Sequence, residues 1–389
     1  MTVTRSVALD AAADPSGRLS AALEALTHDG ELGVQVCVVR DGTVLADVTA
    51  GAHDAAEPPL TRRSLLPVFS VSKGVLSGLA LVALSRGALE LDQPVRTVWP
   101  EFAANGKQDV TVRHVLLHTA GIPQMPAGVT VEQMCDWSAM VERVAALELL
   151  WPAGAVRAYH ALTYGWLLGE TVRRALDVRA DVATLVRREL LDPLGVAEFW
   201  FGIPDAVEPR VHAVVRDPRR PPDPGSLLAR ALPERLAVSQ AVYGRPDVRR
   251  AVIPAVNGIT NARALATLYA GIAGQRGVAG PVVDPAWVRR AARPLLRETD
   301  RTIGSQVVHG LGFYVGNENG WEWDVPFAAG SATFGHPGSG GSLAWGNVRT
   351  GTGFAITRVR LTGAGWRDPA IQRLVRLLGE VATAVEEER

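Results

Sequence analysis

The run Leu76-Ser77-Gly78-Leu79-Ala80-Leu81-Val82-Ala83-Leu84 reads as helix and is apolar almost all the way round. A helix without a polar face cannot lie on a surface, so the fold has to enclose it on most sides. Directly before it stands Phe69-Ser70-Val71-Ser72-Lys73-Gly74, which puts a hydroxyl and an amine three residues apart at the start of the same helix. Positions i and i+3 share a helix face, so the amine reaches the hydroxyl without help from a loop. A serine hydroxyl is a weak nucleophile until a base takes its proton, and a lysine stripped of water can be that base. An enclosed helix desolvates its lysine by the act of folding.

Composition makes this lysine conspicuous. Of 40 basic side chains only Lys73 and Lys107 are lysines; the others are arginines, whose pKa is too high for a base near neutrality. At 389 residues the chain suits one large domain or two interleaved ones. With 47% hydrophobic and 21% charged residues it has the make-up of a well-packed globular enzyme. The formal net charge is zero, which argues against nucleic acid or an anionic membrane as partner. Residues 1–14 lack a basic segment followed by an apolar one, so no secretory signal is expected and a cytoplasmic location is. No apolar run approaches the roughly 20 residues of a membrane span. Cys37 and Cys135 stand alone, without metal-ligand spacing or a disulfide framework, and are expected to be buried reduced thiols.

Along the chain, helical spacing covers 16–26, and two β-branched runs at 33–39 and 43–50 flank the turn dipeptide Asp41-Gly42. From 91 to 292 the pattern is mostly helical, broken by Pro and Gly. The Pro- and Arg-rich stretch 217–224 reads as an exposed loop of the kind that lines or covers a binding site. Strand-like runs return at 307–315, 344–348 and 353–359, with a glycine-rich entry at 335–341, and an amphipathic helix spans 369–385. Strands, a long helical insert, strands and a helix fit an α/β (α+β) fold whose sheet is built from both chain ends. The expected division is 1–87 and 306–389 as two parts of an α/β domain, with 88–305 as a mainly helical domain carrying substrate-lining loops.

The motifs give this frame a chemistry. After Ser70-x-x-Lys73 come Leu84-Ser85-Arg86-Gly87-Ala88-Leu89-Glu90-Leu91-Asp92-Gln93-Pro94-Val95 and Val110-Thr111-Val112-Arg113-His114-Val115-Leu116-Leu117-His118-Thr119-Ala120-Gly121-Ile122. Further on stand Trp151-Pro152-Ala153-Gly154, Tyr159-His160-Ala161-Leu162-Thr163-Tyr164-Gly165 and Gly335-His336-Pro337-Gly338-Ser339-Gly340-Gly341-Ser342. Together these segments resemble the serine β-lactamase and penicillin-binding-protein superfamily, most closely its class C-like branch with the family VIII carboxylesterases. The resemblance runs from about residue 32 to 361.

What the resemblance implies is specific. Ser70 is the nucleophile and Lys73 its base. Tyr159 matches the family's tyrosine and shares the base role, as a tyrosinate beside an ammonium, each charge favouring the other; Tyr164 is the less favoured tyrosine. His336 takes the place of the lysine in the third motif, as in the esterase-like branch, and serves as a substrate-facing donor. The glycines around Gly338 let substrate approach the strand backbone. The backbone N–H groups of Ser70 and Ser339 form the oxyanion hole. His336, Gly338 and His160 are the expected substrate contacts. No cofactor and no metal is implied.

Two departures steer the substrate. Ala161 stands where true β-lactamases carry an asparagine that contacts a substrate amide, and His336 replaces a permanent cation. Both favour a carboxylic ester over a β-lactam. The expected partners are thus a small-molecule ester or acyl donor and, for an acyltransferase using the same acyl-serine, an alcohol or amine acceptor. A D-amino-acid peptidase or amidase, a weak β-lactamase and a non-catalytic penicillin-recognising protein are the remaining alternatives. His118 is expected to be structural and Asn261 a helix cap. No Gly-x-Ser-x-Gly elbow is present, and no Gly-Lys-Ser/Thr follows the glycines at 338–341, which excludes the α/β-hydrolase pattern and a phosphate loop. Trp151, Trp321, Trp323 and Trp345 are expected mainly in the core, with one or two walling an acyl pocket.

Overall fold

Asp41 and Gly42 are both left-handed, with φ of 50° and 76°, the backbone that a two-residue hairpin turn demands. They fold Gly33–Arg40 back onto Thr43–Gly51. The structure, a computed structural model, describes residues 15–51, 59–218, 221–274, 277, 280–316, 327 and 332–387. Gly33–Arg40 is buried along its whole length because its other edge is also paired. That partner is Thr352–Arg358, antiparallel, in a register running from Val34 opposite Arg358 to Arg40 opposite Thr352. Segments from near the two ends of the chain therefore lie side by side in one sheet.

Eight described strands make that sheet, in the order 43–51, 33–40, 352–358, 343–347, 333–337, 314–315, 306–309, 296–299, antiparallel throughout. Helices Pro15–His28 and Pro369–Glu387 pack on each other and on the hairpin, while Ala262–Gly274 crosses the strands 33–40, 352–358 and 343–347. The helix Val71–Ser85 is enclosed as its composition requires: every residue from Val71 to Leu84 is buried. Gly74 is what lets its neighbour so close, since a Cβ there would lie 2.0 Å from the Tyr269 hydroxyl.

Three expectations need correction. The run 307–315 is not one strand but Gln306–His309 and Tyr314–Val315, reversed by a turn in which Gly312 is left-handed and Gly310 N–H donates to Phe313 O. Its apolar Leu311 and Phe313 hid the turn. The glycine-rich segment 335–341 is only half loop, because Thr333–Pro337 is an interior strand of the sheet. Within 91–292 the long helices are Thr163–Leu176 and Ala262–Gly274; much of the remainder is single turns of helix, and Phe199–Trp200 and Leu66–Phe69 both pair with Gly258–Thr260 in a small second sheet.

Trp345 is buried and stacks on Phe354, ring centroids 5.0 Å apart, whereas Trp151 is half-buried. Trp321 and Trp323 lie outside the described residues. Both cysteines are free, Cys37 buried and Cys135 half-buried, and burial raises both thiols, Cys135 to about 11. Among the described residues no helix is long and apolar enough to cross a membrane.

Candidate active site

The strand Leu66–Phe69 ends in a residue that resists its own backbone: Phe69 is left-handed, with φ of 50°, and fully buried. For an aromatic side chain this conformation costs on the order of 1–3 kcal/mol. It turns the chain sharply from strand to helix and leaves Ser70 as the helix N-cap. A serine there ordinarily spends its hydroxyl on a free helix N–H. Ser70 makes no such bond. Its Oγ lies instead 3.1 Å from Lys73 Nζ.

Lys73 is 0% exposed, and Nζ also donates to the carbonyl of Ala255 at 2.9 Å. Burial holds its pKa well below the ordinary lysine value, and no carboxylate is among the causes of the shift. Desolvation therefore acts in favour of the amine, the form whose lone pair can take the Ser70 proton.

Tyr159 stands over this pair, its ring centroid 4.8 Å from Lys73 Nζ. Burial pushes the phenol well above its ordinary value; Tyr314 adds to the rise, and a Ser70 hydrogen bond and the Arg157 charge oppose it. Desolvation thus moves both partners the same way, towards their neutral forms. Burial therefore works against the ammonium and tyrosinate expected from the sequence.

Three consecutive main-chain amides fix the tyrosine's place. Ala158 N–H donates to His118 O (3.1 Å), Tyr159 N–H to Asp300 Oδ1 (3.1 Å), and His160 N–H to His118 Nδ1 (3.1 Å). His118 is thus a buried scaffold residue. Tyr164 lies in the helix Thr163–Leu176, stacked on His118 with ring centroids 4.5 Å apart and hydrogen-bonded to Ser77 Oγ at 2.8 Å. Asn261 Oδ1 accepts from Ala264 N–H, capping the helix that follows.

These groups open on a cleft of about 380 Å³. Ser70, Tyr159, Ala161, His336, Gly338 and Ser339 all line it. A Cβ on Gly338 would come 2.5 Å from Val68 O, so the strand end can approach the nucleophile turn only as glycine. His336 is buried in the wall. Its Nδ1 is 2.7 Å from Pro337 O, which can only accept, so that nitrogen carries the proton. Burial is the main cause that keeps the ring's pKa well below normal. The remaining nitrogen, Nε2, is an acceptor, which replaces the expected donor role.

His160 does not face the cleft. It is 1% exposed, its Nδ1 donates to Ala158 O and its Nε2 accepts from Ile122 N–H, so both nitrogens are committed to the backbone. Sequence reasoning missed other cleft residues: Arg216, which donates to Ser339 Oγ at 2.9 Å, and Trp366 and Arg367 in the turn before the last helix. Their only signal was position. Arg216 directly precedes the stretch 217–224, of whose described residues Asp217 pairs with Arg360 at 2.9 Å.

The enclosed helix thus carries a hydroxyl uncommitted at its N-cap and a buried amine beneath it. The beta-lactamase family model matches residues 19–373, and the chain belongs to that family. The esterase/beta-lactamase LipL of Mycobacterium tuberculosis is 32% identical over 350 residues, covering 85% of this chain and 77% of that protein. A penicillin-binding-protein homologue from Caulobacter crescentus superposes with a TM-score of 0.86 at 29% identity, covering 98% of this chain and all (100%) of that one. A family VIII carboxylesterase does so with the same TM-score of 0.86 at 23% identity, again over 98% and 100%.

Proposed function

We propose that the protein is a serine hydrolase that cleaves carboxylic esters through an acyl-Ser70 intermediate. The observation that carries this reading is the 3.1 Å contact between the uncommitted Ser70 hydroxyl and the desolvated Lys73 amine. Lys73 takes the hydroxyl proton as Oγ adds to the ester carbonyl. The oxyanion is held by the N–H groups of Ser70 and Ser339, two donors that contribute a few kcal/mol each to such an intermediate. Tyr159, a phenol 4.8 Å from the amine at its ring centroid, delivers a proton to the departing alkoxide and recovers one from Lys73. Water then adds to the acyl-Ser70 ester, and the carboxylic acid leaves as the serine proton returns.

Esters are favoured over β-lactams by two features of the cleft. A neutral His336 supplies no fixed cation for a lactam's carboxylate, and Ala161 offers no amide to its side chain. LipL's name joins both activities, so nitrocefin belongs in the test. Incubation with p-nitrophenyl acetate, butyrate and octanoate, with and without alcohol or amine acceptors, is followed by absorbance and intact mass. The expected result is ester turnover with a transient acyl adduct that is absent from Ser70→Ala. No turnover above that control sinks the proposal, nitrocefin turnover rivalling the esters makes the protein a β-lactamase, and acceptor-dependent products make it an acyltransferase.

A further inference from the structure

One ion pair among the described residues has neither side chain exposed at all: Arg157 with Asp300, both at 0%, Nη1 to Oδ2 2.7 Å. A charge so completely removed from water is costly, and removing one partner alone leaves the other buried and uncompensated. The geometry of the pair shows what it does. Asp300 Oδ1 accepts three backbone N–H groups: Tyr159 at 3.1 Å, Thr302 at 2.8 Å and Ile303 at 3.0 Å. Arg301 N–H donates to Arg157 O at 3.0 Å, and Asp300 N–H closes its own loop on Ser305 O at 2.9 Å.

One carboxylate oxygen thus ties the main chain of Tyr159 to the turn 300–305, whose Ile303 and Ser305 line the cleft together with Tyr159 itself. We propose that Asp300, held in place by Arg157, is a positioning residue that sets the height of Tyr159 over Lys73 and Ser70 and couples it to the cleft wall at 303–305. The inference rests on the acyl-enzyme reading for its consequence in catalysis. His118 fixes the amides on either side of Tyr159, so loss of Asp300 leaves the segment attached and changes the tyrosine's angle rather than unfolding it. Misplacement on the order of 1 Å is enough to cost roughly 100-fold in rate.

The test removes the two charges together so that none is stranded. Arg157→Met with Asp300→Asn keeps an oxygen for the three N–H groups; Arg157→Met with Asp300→Leu keeps none. Thermal melts check folding, kcat and KM are measured on a p-nitrophenyl ester, and the labelling rate of Ser70 by a fluorophosphonate is followed by intact mass. In the Leu variant kcat and the labelling rate are expected to fall roughly 10- to 100-fold with KM changed less than about threefold, and the Asn variant to recover most of the loss. An equal loss in both variants, a loss in KM alone, or wild-type rates in a well-folded Leu variant overturns the proposal. Labelling needs no ester, so it still tests the inference if the wild-type protein turns over none, which would overturn only the esterase reading. If the Leu variant does not fold, amide exchange in the wild-type protein decides. Tyr159, Thr302 and Ile303 N–H are expected to be protected alike, and fast exchange at Tyr159 alone overturns the role given to Asp300.

Discussion

The chain has two lysines, and both are fully buried, yet their sockets differ. Lys107 Nζ donates to the carbonyls of Ala104 (2.5 Å) and Leu147 and lies 5.5 Å from the Phe102 ring centroid. Lys73 Nζ meets one carbonyl, that of Ala255, and one hydroxyl. Carbonyls only accept, so they favour the ammonium; a hydroxyl can give up its proton. Burial lowers Lys107 to about 8 against the opposing charge of Glu148, which leaves it mainly cationic at neutral pH, and it holds Lys73 well below the ordinary lysine value with no carboxylate to oppose the shift. Burial alone does not make a base. The partner decides whether a desolvated lysine clamps two loops or activates a nucleophile.

The sharpest way to break this contrast is to remove each amine while keeping its stem. Lys73→Met is expected to lower kcat/KM on a p-nitrophenyl ester by about 10³-fold or more, and Lys107→Met to leave it within about twofold. Comparable losses would show that the two sockets do not differ in kind. Replacing the proton donor comes next. Tyr159→Phe is expected to reduce kcat about 100-fold, with Ser70 still acylated, which intact mass would detect.

Stability should run in the opposite sense. Lys107→Met loses charge-assisted bonds to two carbonyls and is expected to cost about 1–3 kcal/mol in urea unfolding, while Lys73→Met relieves a desolvated polar group and should be neutral or stabilising. The smallest effect is in pH. An unfolded lysine titrates near its model value of 10.5 and Lys107 in the fold near 8, so between these the unfolded chain binds more protons. Stability contributed at this site therefore rises with pH across that window and is flat outside it. Lys107→Met should abolish that slope. Activity, by contrast, should reach its plateau at a pH well below the ordinary lysine value, because burial lowers Lys73; a rate that rises only through the ordinary lysine range would contradict that shift.

Much of this was legible in the sequence, for local reasons. The enclosed helix followed from apolar residues on every face, the hairpin from Asp41-Gly42, and Ser70, Lys73 and Tyr159 from motifs whose spacing survives folding. What failed was the non-local part. A left-handed Phe69 has no signature, because nothing in its identity asks for that backbone. The strand Thr333–Pro337 was obscured by glycine and proline that serve the cleft rather than the sheet. The charge on Lys73 and Tyr159 was hard to read for the same reason: burial, which opposes both charged forms, comes from residues distant in sequence. His160 lost its assigned contact because its neighbours at Ala158 and Ile122 claim both nitrogens.

The pairing of Gly33–Arg40 with Thr352–Arg358 has a consequence for biosynthesis. A ribosome makes the apolar helix Val71–Ser85 long before the strand Thr333–Pro337 that packs on it, since six of the eight strands in that sheet lie beyond residue 295. Until then the nascent chain carries an uncovered hydrophobic segment of the sort that chaperones bind and that aggregates when they do not. Closing a contact across more than 300 residues is also slow. A chain cut before its C-terminal strands would lack Thr333–Pro337 and with it the cleft residues His336, Gly338 and Ser339.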